Sequence, residues 1–149
     1  MEDASGRKIG VVVSRFNDDI TEPMLEGALK TLSAWKVRAA DTAVVYVSGS
    51  FEIPYGCLTL LKKKKFDALV AIGCIIKGET EHDRHLASAV SAGIMRLSLD
   101  YETPIAFGVI TTNNLAQARA RSFGSMNRGS KAAEAALESA LLTPRKKRS

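Results

Sequence analysis

Cysteine and histidine are scarce in this sequence: two of each in 149 residues, namely Cys57, Cys74, His82 and His85. Two cysteines make no disulfide framework, so they read as reduced thiols and the protein as cytoplasmic. Two histidines three residues apart, even with Glu79, Glu81 and Asp83 nearby, lack a convincing third ligand for zinc, so no metal is expected. Aromatic residues are only 6%, whereas a nucleic-acid surface needs a basic face with stacking aromatics. The net charge of +5 does not supply that face. Much of it sits in Arg145-Lys-Lys-Arg148, and a second block, Lys62 to Lys65, reads as a solvated helix end. Without the Arg145–Arg148 tail the chain is nearly neutral, which excludes specific nucleic-acid binding and leaves the tail weak contact with polyanions. No apolar run approaches membrane-spanning length. The first residues, Met1-Glu-Asp-Ala-Ser-Gly-Arg-Lys, are acidic and short, unlike a signal peptide.

What is present is a hydrophobic share of 46%, enough for one domain with a real core. That domain is expected over residues 1–142, with a basic, disordered tail at 143–149. Strand patterns fall at 8–14, 42–47, 68–76 and 105–110. Helical patterns run from 19 or 21 to 35, then 54–63, 81–99, 114–121 and 130–142. The first helix carries Met24, Leu25, Ala28, Leu29 and Leu32 on one face, with Pro23 in its first turn. The third turns Leu86, Ala89, Val90, Gly93, Ile94 and Leu97 inward. Strands alternating with helices imply a parallel sheet covered on both faces. The expected fold class is α/β, a flavodoxin-like three-layer sandwich with a four-stranded parallel sheet.

Four segments then follow the C-terminal ends of strands: Ser14-Arg-Phe-Asn17, Ser48 to Glu52, Lys77 to His82, and Thr111-Thr-Asn-Asn114. In a parallel sheet these ends share one edge, where ligands bind. The third segment is the most informative. A buried strand stops at Lys77-Gly78 and a helix starts near Thr80, a plausible N-cap. Free N–H groups at that end suit phosphate, and His82 can move protons near neutral pH.

Other residues read two ways. Phe16 either staples a helix onto the sheet or stacks on a planar ligand. Phe51 and Glu52 either form an ordinary strand-to-helix turn or meet a ligand, with Glu52 accepting sugar hydroxyls. Arg121 either complements a helix dipole or grips phosphate with its guanidinium. Cys74 is either a nucleophile paired with His82 or, as its place inside an apolar run favours, a buried strand residue.

Taken together, these pieces resemble the 6,7-dimethyl-8-ribityllumazine synthase family of riboflavin biosynthesis, over about residues 8–142. The marks are Arg15-Phe-Asn17, Gly49-Ser-Phe-Glu-Ile-Pro54, Gly78-Glu-Thr-Glu-His82, Pro104-Ile-Ala-Phe-Gly108, Thr111-Thr112 and Asn127-Arg-Gly129. The resemblance implies a transferase that joins 5-amino-6-(D-ribitylamino)uracil to 3,4-dihydroxy-2-butanone 4-phosphate, releasing phosphate and water without a cofactor. It implies that Phe16 stacks on the pyrimidine, that Ser50, Phe51 and Glu52 hold the ribityl chain and ring edge, and that backbone at Cys74, Ile75 and Ile76 lines the uracil pocket. Glu79 and Thr80 would offer N–H groups to the phosphate, with Arg121 as cationic partner and Arg128 at the ring. His82 would be the catalytic residue, and Phe107 would arrive from a neighbouring subunit. The implied partners are the two substrates and copies of the chain itself, as a homopentamer, decamer or icosahedral shell, with riboflavin synthase a further candidate and no membrane. The chain departs from the family pattern at Ser48, where proline is common, and at Asp83, where an aromatic is usual; a neighbouring anion there would raise the histidine's pKa. Its segment 121–126 is one residue shorter than the usual glycine-rich loop. Two other classes compete with the synthase: a flavin- or lumazine-binding module without turnover, and a Cys–His acyl-transfer enzyme built on Cys74.

Overall fold

A computed structural model describes residues 3–78 and 83–145. Its centre is the apolar strand β3, Ala68–Ile76, in which all nine residues are buried. Strand β1, Ile9–Ser14, is buried throughout as well. The other two, β2 at Thr42–Val47 and β4 at Ile105–Thr112, are partly exposed. That contrast follows from position. The sheet is wholly parallel with the order β2-β1-β3-β4, so the buried strands are the inner pair. A parallel strand covered on both faces has no polar side to show.

Among the described residues five α-helices cover the sheet: α1 (Asp18–Ala34), α2 (Ile53–Lys63), α3 (Asp83–Asp100), α4 (Leu115–Ala120) and α5 (Arg128–Ala140). Alternation along the strands assigns them to faces. Val11, Val13, Val70 and Ile72 share one core with Met24 and Leu32 of α1 and Leu137 of α5. Val12, Leu69 and Ala71 share the other with Cys57 of α2 and Val90 and Ile94 of α3. Burying each such aliphatic side chain contributes roughly 1.5–3 kcal/mol, so the two inner strands carry most of the cohesion. The result is the expected three-layer α/β sandwich.

Several boundaries differ from expectation. Thr111 and Thr112, expected in a loop, continue β4 and pair with Ile75 and Ile76; the long β3 offers a ladder there, and β-branched threonine fits it. Helix α1 starts at Asp18, which places Pro23 inside the helix rather than in its first turn. Helix α5 starts at Arg128, two residues early, because the Asn127 side chain caps it by accepting from Gly129 N (2.8 Å) and Ser130 N (3.1 Å). On α3 the inward position belongs to Ala87, and Ala89 is exposed. Leu29 lies at the exposed margin of α1, 36% accessible. Of the expected tail, Thr143–Arg145 are described, with the Arg145 guanidinium lying over Gly6; residues 146–149 lie outside the described residues.

At the N-terminal ends of the strands one side chain ties three parts of the chain together. Arg7 Nη1 donates to Ala140 O (2.8 Å) and Thr143 O (2.9 Å), and pairs with Asp67 at 3.5 Å. The Asp67 carboxylate also accepts from Lys8 N at 2.8 Å and is only 5% exposed. Removing the cation takes the charge partner from a buried carboxylate and the donor from the Ala140 and Thr143 carbonyls. Arg7→Ala is therefore expected to cost about 2 kcal/mol, read as a lower urea midpoint at unchanged slope. A loss below about 0.5 kcal/mol would show that Asp67 is satisfied without Arg7.

Candidate functional site

The strand order reverses between β1 and β3. Chain from β1 goes out to β2, then crosses to β3 on the other side, so the C-terminal ends of β1 and β3 open a crevice. The loop after β1 is held on both flanks. Arg15 N donates to Val47 O (2.8 Å) and Phe16 N to Ser48 O (3.0 Å), which joins it to the end of β2. Asn17 then turns left-handed (φ 65°) and its Nδ2 donates to Cys74 O at 3.2 Å. An asparagine tolerates that backbone conformation. The loop thus bridges three strands and leaves Phe16 55% exposed at the mouth. Its ring is not spent on stapling the helix. The Arg15 guanidinium sits 5.1 Å from the centroid of the Tyr46 ring.

The segment after β2 forms a short 3-10 turn, Ser50–Glu52, leading into α2. Ser50 is buried, with its Oγ facing Gly73 of β3: a Cβ there would lie 2.8 Å from that oxygen and 2.8 Å from Ile53. Gly73 is what lets the turn settle onto the sheet. Phe51 is 67% exposed, and Glu52 is exposed beside Gly49. Phe16, Phe51 and Glu52 therefore stand open on neighbouring loops of one edge.

Cys74, Ile75 and Ile76 are buried strand residues whose backbone reaches the crevice. The Cys74 side chain lies in the core beneath α1 and α5, 2% exposed. That removes the nucleophile alternative, since no substrate reaches a thiol packed there. Cys57 is equally enclosed, and burial pushes its thiol up to about 12. Beyond β3, Lys77 N donates to Thr112 O (2.8 Å), and Gly78 turns left-handed at φ 88° in open space. Glu79, Thr80, Glu81 and His82 lie outside the described residues. Ser14 Oγ, at the end of β1, is buried and has no hydrogen-bond partner among the described residues.

A second group gathers on the outer flank of β4. A cavity of about 350 Å³ is lined by Phe107, Thr111, Arg121, Arg128 and Lys131. Phe107, in the middle of β4, is 47% exposed. Arg121 ends α4, and Arg128 N donates to Arg121 O at 2.8 Å, closing the intervening loop. Asn127 fastens that loop from within, donating to Ser122 O (2.8 Å) and Pro23 O (3.0 Å). The segment from 121 to 128 thus delivers both arginines to one cavity. Arg121 and Arg128, expected to act alongside residues 79–82, share that cavity with Phe107. Lys131, not singled out in the sequence, joins them. Its spacing from Arg128, three positions along a helix, is the signal that marks it, since such residues share a face.

The described residues therefore present two separate groups of candidate side chains. Phe51 and Glu52 follow β2, at one edge of the sheet, while Phe107, Arg121 and Arg128 flank β4, at the other. Three strand spacings, about 14 Å, lie between them. One half offers aromatic faces, a carboxylate and strand backbone, suited to a planar polar ring. The other offers an aromatic and three cations, suited to an anion. Among the described residues no helix is long and apolar enough to cross a membrane. A family model described as 6,7-dimethyl-8-ribityllumazine synthase matches residues 6–143, nearly the whole chain.

Proposed function

The chain belongs to the 6,7-dimethyl-8-ribityllumazine synthase family, and we propose on that premise that it condenses 5-amino-6-(D-ribitylamino)uracil with 3,4-dihydroxy-2-butanone 4-phosphate, without a cofactor. The match over residues 6–143 carries this reading. The open aromatics at the switch point and the cationic cavity on β4 support it.

The primary amine of the pyrimidine attacks the ketone and water leaves, giving an imine. Loss of an α proton expels phosphate and leaves an enol, which tautomerises to a ketone. The ribityl-bearing nitrogen attacks that carbonyl, and loss of water closes the ring. Each step moves a proton, and His82 is the residue of choice for it near neutral pH. The substrate's own amine is the nucleophile, so no activated cysteine is required. Most of the acceleration comes from holding two reactants in register. Phe16 stacks on the pyrimidine, Ser50, Phe51 and Glu52 hold the ribityl side, and the backbone of Cys74 to Ile76 meets the ring edge. Arg121, with Glu79 and Thr80, holds the phosphate, and Arg128 meets the ring.

In this reading a complete site takes its ring half from one subunit and Phe107, Arg121 and Arg128 from the next. A contact between two different flanks of the same chain is heterologous and closes into a ring by rotation, as a homopentamer would. The test is to mix both substrates with the protein in the presence of a chelator and follow the lumazine's absorbance and fluorescence. Product formation at an unchanged rate is expected. Binding of the pyrimidine without product would identify a ligand-binding module instead, and activity lost to the chelator and restored by zinc would reverse the cofactor-free reading.

A further inference from the structure

The cavity on β4 holds more positive charge than a single arginine–phosphate contact requires. Arg121, Arg128 and Lys131 all line it, and among the described residues no carboxylate does. None of the three forms an ion pair among the described residues, although five such pairs occur elsewhere. Three like charges on residues lining one concavity repel one another, and a bound anion relieves that repulsion. Their placement is also fixed by the fold. Arg121 and Arg128 are joined by a 2.8 Å backbone hydrogen bond. Lys131 stands one helical turn beyond Arg128, where Cβ atoms lie about 5–6 Å apart.

We propose that Lys131 is the third cation of an anion cradle, and that the cradle selects for charge, binding a diphosphate more tightly than a monophosphate. The inference rests on reading this cavity as the phosphate-bearing half-site. A monophosphate has one group of oxygens to offer. The Arg121 guanidinium engages it through paired N–H donors while Arg128 meets the ring, and the ammonium of Lys131, a compact charge on a flexible stem, is left within reach of a second phosphoryl group. Inorganic pyrophosphate is then a competitor of the phosphorylated substrate, and Lys131 sets the difference between it and inorganic phosphate.

The experiment titrates inorganic phosphate and pyrophosphate into the full-length protein by calorimetry, at low and physiological salt. The wild type is expected to bind pyrophosphate about fivefold or more tighter than phosphate, with the gap narrowing as salt rises. Lys131→Ala should lose about fivefold in pyrophosphate affinity and less for phosphate, Lys131→Glu should lose more, and Lys131→Arg should retain it. Lys131 is exposed, so these changes leave folding intact, which circular dichroism checks. In turnover, Lys131→Ala should weaken pyrophosphate as a competitive inhibitor against the butanone phosphate. Equal binding of both anions by wild type, Lys131→Ala and Lys131→Glu would overturn the cradle, even with turnover intact. Absent turnover with charge-dependent, Lys131-sensitive binding would instead support the cradle and refute the reaction.

Discussion

His82→Ala is expected to slow the chemical step about a hundredfold or more, the usual worth of a positioned proton-transfer group. It should leave substrate binding and a measurable residual rate, because proximity between two bound reactants survives the mutation. The pH–rate profile should lose one of its limbs in the same variant. His85→Ala is the control, since His85 is exposed on the first turn of α3 and has no assigned part in the reaction. Single-turnover kinetics with both substrates saturating separates chemistry from product release. Equal and minor losses in the two variants would sink the assignment of His82 and shift attention to solvent as the proton carrier.

Restored activity on mixing two dead variants is the second expected result, and it depends on which residues are paired. Phe107→Ala and His82→Ala damage different half-sites, so dissociating, mixing and reassembling them regenerates complete sites wherever an intact ring half meets an intact β4 flank. For equal, random mixing that is about a quarter of all sites. Phe107→Ala mixed with Arg121→Ala should restore nothing, because both residues line the same cavity of one chain and every flank then lacks one of them. Specific activity after reassembly, against each parent treated identically, is the measurement. Restoration by the second pair, or full activity from a monodisperse monomer, would refute the shared site.

Strand β3 was legible in the sequence to the residue, because an unbroken apolar run between charged neighbours has only one way to sit in a covered parallel sheet. Strand β2 was equally plain. The misplaced boundaries have two causes, a distant strand at one and local helix capping at the others. Thr111 and Thr112 are polar enough to read as loop, and only the length of β3 beside them holds them in the ladder. Pro23 reads as a first-turn residue, yet α1 begins five positions earlier, where Asn17 turns the chain and accepts at its carbonyl from Ile20 N and Thr21 N. For the site, motifs nominated Phe16, Phe51, Glu52, Arg121 and Arg128 individually. They carried no information about which flank of the sheet each would occupy, and the company of Arg121 with Phe107 is a property of strand order. Lys131 escaped notice for the reason most lysines do: alone on a helix, it reads as a solvated charge.

The node around Arg7 bears on how such a protein can change over generations. Its bonds join the approach to β1, the approach to β3 and the end of α5, all at the pole opposite the crevice. The crevice pole, by contrast, displays exposed aromatics, and the β4 flank displays cations without ion-pair partners among the described residues. The Arg7 closure and the exposed aromatics of the loops after β1 and β2 are thus held at opposite ends of the sheet. Drift in the loops at one pole alters what is recognised while leaving intact the closures that keep the chain folded. A lineage carrying this fold can explore new ligands by loop substitution without first crossing a valley of unfolded intermediates.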